Sequence, residues 1–212
     1  MFEVEYKGAN AVILTTKKTK VIFDPKLSVV GLKDIDVRGT IEVATEDRFV
    51  VENASPKLLL SSPGEYEVGD VSLTGLPARR HIDTEEEGLM ATIYRVVIGD
   101  VRIAVIGNIA PKLDEDQLEL LGVVDMVIIP VGGGGYTLDA SDASTIVRQI
   151  SPRAVIPVHY ADSALKYEVP QEDMETFVKE LSVGVVEAGP KFKVKGDSSL
   201  PEQLSVIKIT RS

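Results

Sequence analysis

Two runs, Met126-Val-Ile-Ile-Pro-Val131 and Ala154-Val-Ile-Pro-Val158, are apolar from end to end, and each stops abruptly. Short runs rich in Val and Ile read as strands buried on both faces. Between them Ala140, Ala143, Ile146, Val147 and Ile150 recur at helical spacing; Asp139 or Ser141 can cap this helix and Pro152 ends it. Strand, helix, strand in close succession constrains this part of the chain to a sheet covered by helices. The exits matter as much as the runs. The first opens into Gly132–Gly135, Tyr136 and Thr137, and the second into His159 and Tyr160. A strand end holds the backbone while its tip faces a cleft, so a site is expected there.

Upstream the pattern is mostly strand. Ala11–Leu14 and Lys20–Asp24 flank a Thr/Lys turn and read as a hairpin closed by Pro25. Segments 40–45, 57–60 and 71–74 are strand-like, with Leu58-Leu-Leu60 expected in the core and turns at Pro63-Gly64 and Gly69-Asp70. Segments 90–98 and 101–106 flank Gly99-Asp100, a strong hairpin signal. Leu113, Leu118, Leu120 and Leu121 fall in an acidic helical stretch stopped by Gly122. Met174, Phe177, Val178 and Leu181 form another helical face behind Pro170–Asp173, and strands at 184–187, 191–195 and 204–209 finish the chain. No Gly-, Ser- or Pro-rich linker divides it, so one domain over residues 1–212 is expected.

Charge narrows the function classes. Lys plus Arg number 23 against 33 Asp plus Glu, a net charge of -10 that repels nucleic acid and anionic membranes. There is no cysteine, which excludes disulfides and thiolate metal sites and fits a reducing cytoplasm. The N-terminal Met1–Tyr6 lacks the basic-then-apolar order of a signal peptide, and no apolar run reaches membrane-spanning length. Gly132–Gly135 is not followed by Lys-Ser/Thr, so it reads as a turn walling the cleft rather than a phosphate loop. Glu85-Glu-Glu87 reads as a solvated run.

Five motifs in order resemble the metallo-β-lactamase superfamily, in particular small single-domain proteins similar to the ascorbate-phosphate lactonases. They are Phe23-Asp24-Pro25, Ser62–Gly69, Ile106-Gly107-Asn108, Ile129–Gly133 with Tyr136-Thr137, and Ile156–Tyr160. The resemblance covers nearly the whole chain and implies a four-layer αββα sandwich with a site at one edge of two sheets. It also implies a hydrolytic centre of histidines and aspartates that holds two metals and activates water. The sequence departs from that pattern. The first metal loop falls at Thr45–Glu52, where Glu46, Asp47 and Glu52 are the only candidate ligands and no histidine occurs. The family's bridging aspartate appears as Asn108, while His81, before Asp83, and His159 match the remaining positions.

Two close divalent ions need several anions to offset their repulsion, so a dinuclear centre is not expected. The vestigial site would comprise His81, Asn108, His159, Asp47, Asp83 and Tyr136. The leading expectation is a protein lacking the standard dinuclear site and not hydrolytic, with a binding or assembly role and no cofactor, compatible with a homo-oligomer. The other is a mononuclear hydrolase of a small ester, lactone or phosphate, with one zinc, manganese or iron on His81, His159 and a carboxylate from Asp47, Asp83 or Glu46. The bland alternatives are a hydrogen-bonded His159 at a strand end, a solvated His81, and an Asn108 that merely ties down a loop.

Overall fold

The computed structural model describes residues 1–81 and 90–212. Asp83 and the Glu85–Glu87 run lie outside the described residues. The first strands are β1 (Phe2–Gly8), β2 (Ala11–Thr15), β3 (Lys20–Phe23), β4 (Ile41–Val43) and β5 (Leu58–Leu60). Next come β6 (Gly64–Val68), β7 (Val71–Arg79), β8 (Met90–Ile98) and β9 (Val101–Val105). Helices then alternate with strands: α1 (Glu115–Leu121), β10 (Met126–Pro130), α2 (Ala140–Ile150), β11 (Ala154–Val158) and α3 (Met174–Leu181). Strands β12 (Gly184–Gly189), β13 (Phe192–Val194) and β14 (Ser205–Ile209) follow.

Among the described residues the strands form two sheets, one ordered β13-β1-β2-β3-β4-β5 and the other β12-β14-β11-β10-β9-β8-β7-β6. Their inner faces meet in one core. Phe2, Tyr6, Leu14, Phe23 and Ile41 of the first sheet pack with Leu73, Tyr94, Ile103, Ile128 and Ile156 of the second. Burying each such side chain contributes roughly 1.5–3 kcal/mol. The second sheet's outer face carries all three helices, with Ala143, Ile146, Val147, Phe177 and Leu181 against Val127, Ile129 and Val155. Asp114, Asp139 and Asp173 cap them, each side chain accepting from a main-chain N–H three residues on. The first sheet's outer layer is thinner. A 3₁₀ turn (Leu27–Val30) and the Leu165 loop cover Ala9 and Ala11, and Val37 covers Ile13 and Ile22. The fold is the mixed α/β sandwich expected, with one outer layer built largely from loops.

Two strands go beyond the sequence expectation. In β1, Phe2, Val4 and Tyr6 are buried while Glu3, Glu5 and Lys7 are only partly so, an alternation of period two. β6 occupies the turn-like stretch after Pro63 and lies at a sheet edge, where partly exposed Glu and Tyr are tolerated. Leu59 corrects another expectation. It is 42% exposed because β5 is an edge strand, so the Leu58–Leu60 run is not continuous core. No helix among the described residues is long and apolar enough to cross a membrane.

What positions the site is strand direction. β3, β4 and β5 run parallel to one another, as do β9, β10, β11, β14 and β12. Asp24, Thr45 and Glu46 follow β3 and β4 in the first sheet. Asn108, Gly132 and His159 follow β9, β10 and β11 in the second. The carboxyl ends of both parallel sets thus meet at one edge of the sandwich.

Candidate functional site

Asp24 and Thr45 lock the first sheet's exits together. The Thr45 N–H donates to Asp24 Oδ1 and its hydroxyl to Oδ2, both at 2.7 Å. Burial nevertheless pushes the Asp24 carboxyl up to about 7, against those two bonds. Across the sandwich Gly107 sits so close that an added Cβ would lie 2.8 Å from Thr45 Cβ, and its φ is 67°. Only glycine fits that approach.

Glu46, next in the chain, is 4% exposed. Its Oε2 lies 2.7 Å from Arg80 Nε and 3.0 Å from Arg48 Nε, while Oε1 accepts from Arg48 Nη2 at 3.2 Å. Asn108, fully buried, donates from Nδ2 to Glu46 Oε1 at 2.9 Å. Its own Oδ1 accepts from Asn10 Nδ2 at 3.1 Å, and Asn10 Oδ1 lies 3.1 Å from His159 Nδ1. With the Asn10 carbonyl as acceptor, the histidine proton sits on Nδ1. One continuous chain of polar contacts therefore runs from two arginines through Glu46, Asn108 and Asn10 to His159, and between Glu46 and His159 it crosses between the sheets three times. Burial, with the charge of Arg48 adding to it, pulls the His159 imidazole down to about 3, so the ring is neutral near pH 7.

Strain marks the same edge. Ala9, Asp24 and His159 hold φ of 46°, 47° and 49°, in the left-handed region that L-residues with side chains seldom occupy. The His159 N–H bonds the Ala9 carbonyl at 2.8 Å, which ties two of these residues together. Beside them opens a small cleft lined by Arg48, Phe49, Tyr136, His159, Tyr167 and Glu168 among others. The His159 and Tyr167 rings stack with centroids 5.0 Å apart, and the Arg48 guanidinium lies 4.6 Å from the Phe49 ring centre.

The sequence candidates separate in the structure. His159 and Tyr136 share the cleft. Asn108 lies behind it, joined to His159 through Asn10. His81 is partly buried; its main-chain N–H bonds the Asn108 carbonyl at 2.9 Å, but its ring Nδ1 pairs with the Ile109 carbonyl at 3.0 Å. Asp47 is exposed on a short 3₁₀ turn, and Glu52 is an exposed partner of Lys26 at 2.6 Å. The buried carboxylate of this loop is Glu46. Arg48, Asn10, Tyr167 and the locking pair Asp24–Thr45 are additions to the sequence-derived site. Asp24 carried a motif signal, whereas Asn10 carried none.

The donor set does not fit a metal cluster. Among the described residues no three His, Asp, Glu or Cys side chains group closely enough to hold an ion. Glu46 already faces two guanidiniums, Asn108 is neutral with both ends of its amide bonded, and His159 Nδ1 is committed to Asn10.

Comparison with known proteins agrees with this fold. A model of the β-lactamase superfamily domain matches residues 3–159. The chain belongs to the metallo-β-lactamase superfamily. A UPF0173 metal-dependent hydrolase of Thermus thermophilus is 24% identical over 194 residues, covering 76% of this chain and 84% of that protein. A UPF0173 protein of Pyrococcus furiosus is 30% identical over 117 residues, 55% of this chain and about half (49%) of its own length. A solved Thermotoga maritima structure of the superfamily superposes with a TM-score of 0.74 at 16% identity, covering 99% of both chains. Igni18, a metallo hydrolase of Ignicoccus hospitalis, superposes at 0.64 with 14% identity, covering 99% of this chain and 95% of the other.

Proposed function

We propose that this superfamily member uses its edge cleft to bind a small molecule and does not hydrolyse through a dinuclear metal centre. The observation that carries this reading is the pairing of Glu46 with Arg48 and Arg80. Two guanidiniums supply the positive charge that the buried carboxylate needs, and a divalent ion at Glu46 would have to displace or repel them. The Asn10–Asn108 amides extend the same logic, because they complete a polar network without any further anion. What such a site can do is hold and orient a ligand. His159, neutral and fixed by Asn10, offers a ring face and one further nitrogen at the cleft wall.

The names of the relatives favour a second reading, and on that evidence it is the better supported. Proteins called metal-dependent hydrolases match most of the chain. Under that reading His81 and His159 would be ligands, completed by Asp83 or another carboxylate, to one zinc, manganese or iron ion. His81 and His159 would then have to release their bonds to Ile109 and Asn10 wherever the bonded nitrogen is the ligand. Two measurements on the purified protein separate the readings. One is metal content, and the other is turnover of ester, lactone and phosphodiester substrates with added zinc or manganese. Far less than one metal per chain and no metal-stimulated turnover supports the binding reading; stoichiometric metal with turnover supports the hydrolase.

A further inference from the structure

Arg48 is only half used by Glu46. A guanidinium carries five N–H donors in a planar fork. One Arg48 Nη2 donor reaches Glu46, but the Nε–H, though 3.0 Å from Glu46 Oε2, is not aimed at it and is buried without a hydrogen-bond partner. The side chain stays about a third exposed (35%) and forms a wall of the cleft. The charge count agrees. One carboxylate, Glu46, faces two guanidiniums, Arg48 and Arg80, and the positive charge left over is offset only in part by Asp24, whose carboxyl burial pushes up to about 7. Around that charge the walls are mostly apolar or aromatic, among them Val30, Phe49, Tyr136 and Tyr167, with the polar His159 and Gln171 also in the lining. The acidic Glu168 also lines the cleft and is exposed. It opposes a ligand of high negative charge.

We propose that Arg48 binds the carboxylate of a small organic monoanion whose apolar or aromatic body lies against Phe49, Tyr136 and Tyr167. This rests on reading the cleft as a binding site and names its ligand class. A fork with spare donors suits a carboxylate, the aromatic wall selects an apolar body, and Glu168 disfavours a dianion.

The test is a titration of the full-length protein with sodium benzoate, acetate and inorganic phosphate, followed by calorimetry or ligand-observed NMR. Benzoate should bind saturably and more tightly than either acetate or phosphate. Arg48→Gln should weaken benzoate by about tenfold or more, since a hydrogen-bonded charge pair is lost. Arg48→Lys should lose less, and Glu168→Gln should tighten benzoate about two- to fivefold, consistent with removing one nearby like charge in partly aqueous surroundings. Lys193→Gln, far from the cleft in an exposed pair with Glu3, should change nothing. If Arg48→Gln does not fold, the Arg48→Lys and Glu168→Gln affinities decide. Absence of saturable benzoate binding to wild type, or affinities indifferent to Arg48 and Glu168, overturns the inference. Metal content of the same sample keeps the failures apart. A metal-free protein that ignores benzoate refutes the monoanion site alone, whereas stoichiometric metal refutes the binding reading beneath it.

Discussion

A carboxylate flanked by two arginines stands at the amino ends of the second sheet's parallel strands and another at the carboxyl end of β4 in the first sheet, and the two clusters are built differently. At the amino ends of β9, β10 and β11, Asp125 accepts from the main-chain N–H of Arg102 and from both Nε and Nη2 of its side chain, at 2.8, 2.8 and 2.9 Å. Its carbonyl takes the N–H groups of Arg153 and Ala154. Burial pushes the Asp125 carboxyl up, but the Arg102 hydrogen bonds and charge outweigh it and hold the group below its ordinary range. Arg153 is turned to Asp197 as well. The Arg102 donors that face Asp125 each find an acceptor oxygen there, and the cluster ties the starts of neighbouring strands together. At the carboxyl end of β4, Glu46 has two arginines but imperfect aim, and Arg48 borders a cleft. Like composition gives a staple at one end and an open donor at the other; what decides is whether the geometry closes on itself.

Paired substitutions test that contrast most directly. Asp125→Ala leaves the Arg102 guanidinium and its main-chain N–H without their acceptor and should cost about 3 kcal/mol of stability, with benzoate affinity unchanged. Glu46→Gln keeps the shape and an acceptor oxygen. It should cost only about 1–2 kcal/mol and tighten benzoate, because the Arg48 charge is released. Denaturant melts and titrations read both, and the contrast fails if Asp125→Ala disturbs the cleft or Glu46→Gln leaves it unchanged.

Asn108→Asp sharpens the same point. The amide now donates to Glu46 at 2.9 Å, whereas a carboxylate there would face another carboxylate. One of the two must take up a proton or the pair repels, so a loss of about 1–3 kcal/mol is expected. No zinc- or manganese-dependent hydrolysis should appear, because the 45–52 loop still supplies no imidazole. Turnover in this variant would show that a working centre lies one atom away.

Asp24 and His159 make opposed contributions to pH dependence. The folded Asp24 carboxyl, raised to about 7 from 3.8, binds a proton more readily than the unfolded one, so its contribution grows as pH falls from 7 towards 4. The folded His159, lowered to about 3 from 6.5, binds a proton less readily, so its contribution is lost as pH falls from about 6.5 towards 3. Together they nearly cancel between pH 7 and 5. Urea melts should show Asp24→Asn losing stability on acidification across that window and His159→Gln gaining it. Parallel slopes in the two variants would break this account. The smallest effect expected is that of a chelator. A metal bound tightly to the native state would raise stability with the logarithm of its saturation, and EDTA should move the melting temperature by no more than about 1 °C.

The fold was legible because its signals are local. Continuous Val/Ile runs, the Gly99-Asp100 hairpin and the Asp139 cap each declare themselves within a few residues. β6 was hidden, since its Gly64 start reads as a turn and its alternating Glu and Tyr side chains suit an edge. The site was legible only in part. His159 and Tyr136 stand at strand exits that the sequence marks. Glu46 and Asp47 are adjacent acids, and only the backbone turn at 47–49 decides which is buried and which is solvated. Asn10 is a turn residue by every local measure, and its role comes from β11 arriving beside it 149 positions later.

The backbone of the strand exits beside the cleft constrains what variation can reach. Any side chain at Gly132 would strike the His159 carbonyl, 2.3 Å from the ideal Cβ position, and Gly107 is hemmed in by Thr45 in the same way. A combinatorial library that randomised these two positions would be dominated by variants whose strand exits no longer fit, Gly132 against β11 within one sheet and Gly107 against Thr45 of the other. Arg48, Tyr136, Tyr167 and Glu168 instead overhang the cleft from loops, and none is more than partly enclosed. Under the proposed binding reading, diversity placed on those four residues would retune which molecule is held while sparing the frame, so re-engineering of recognition would belong at the rim.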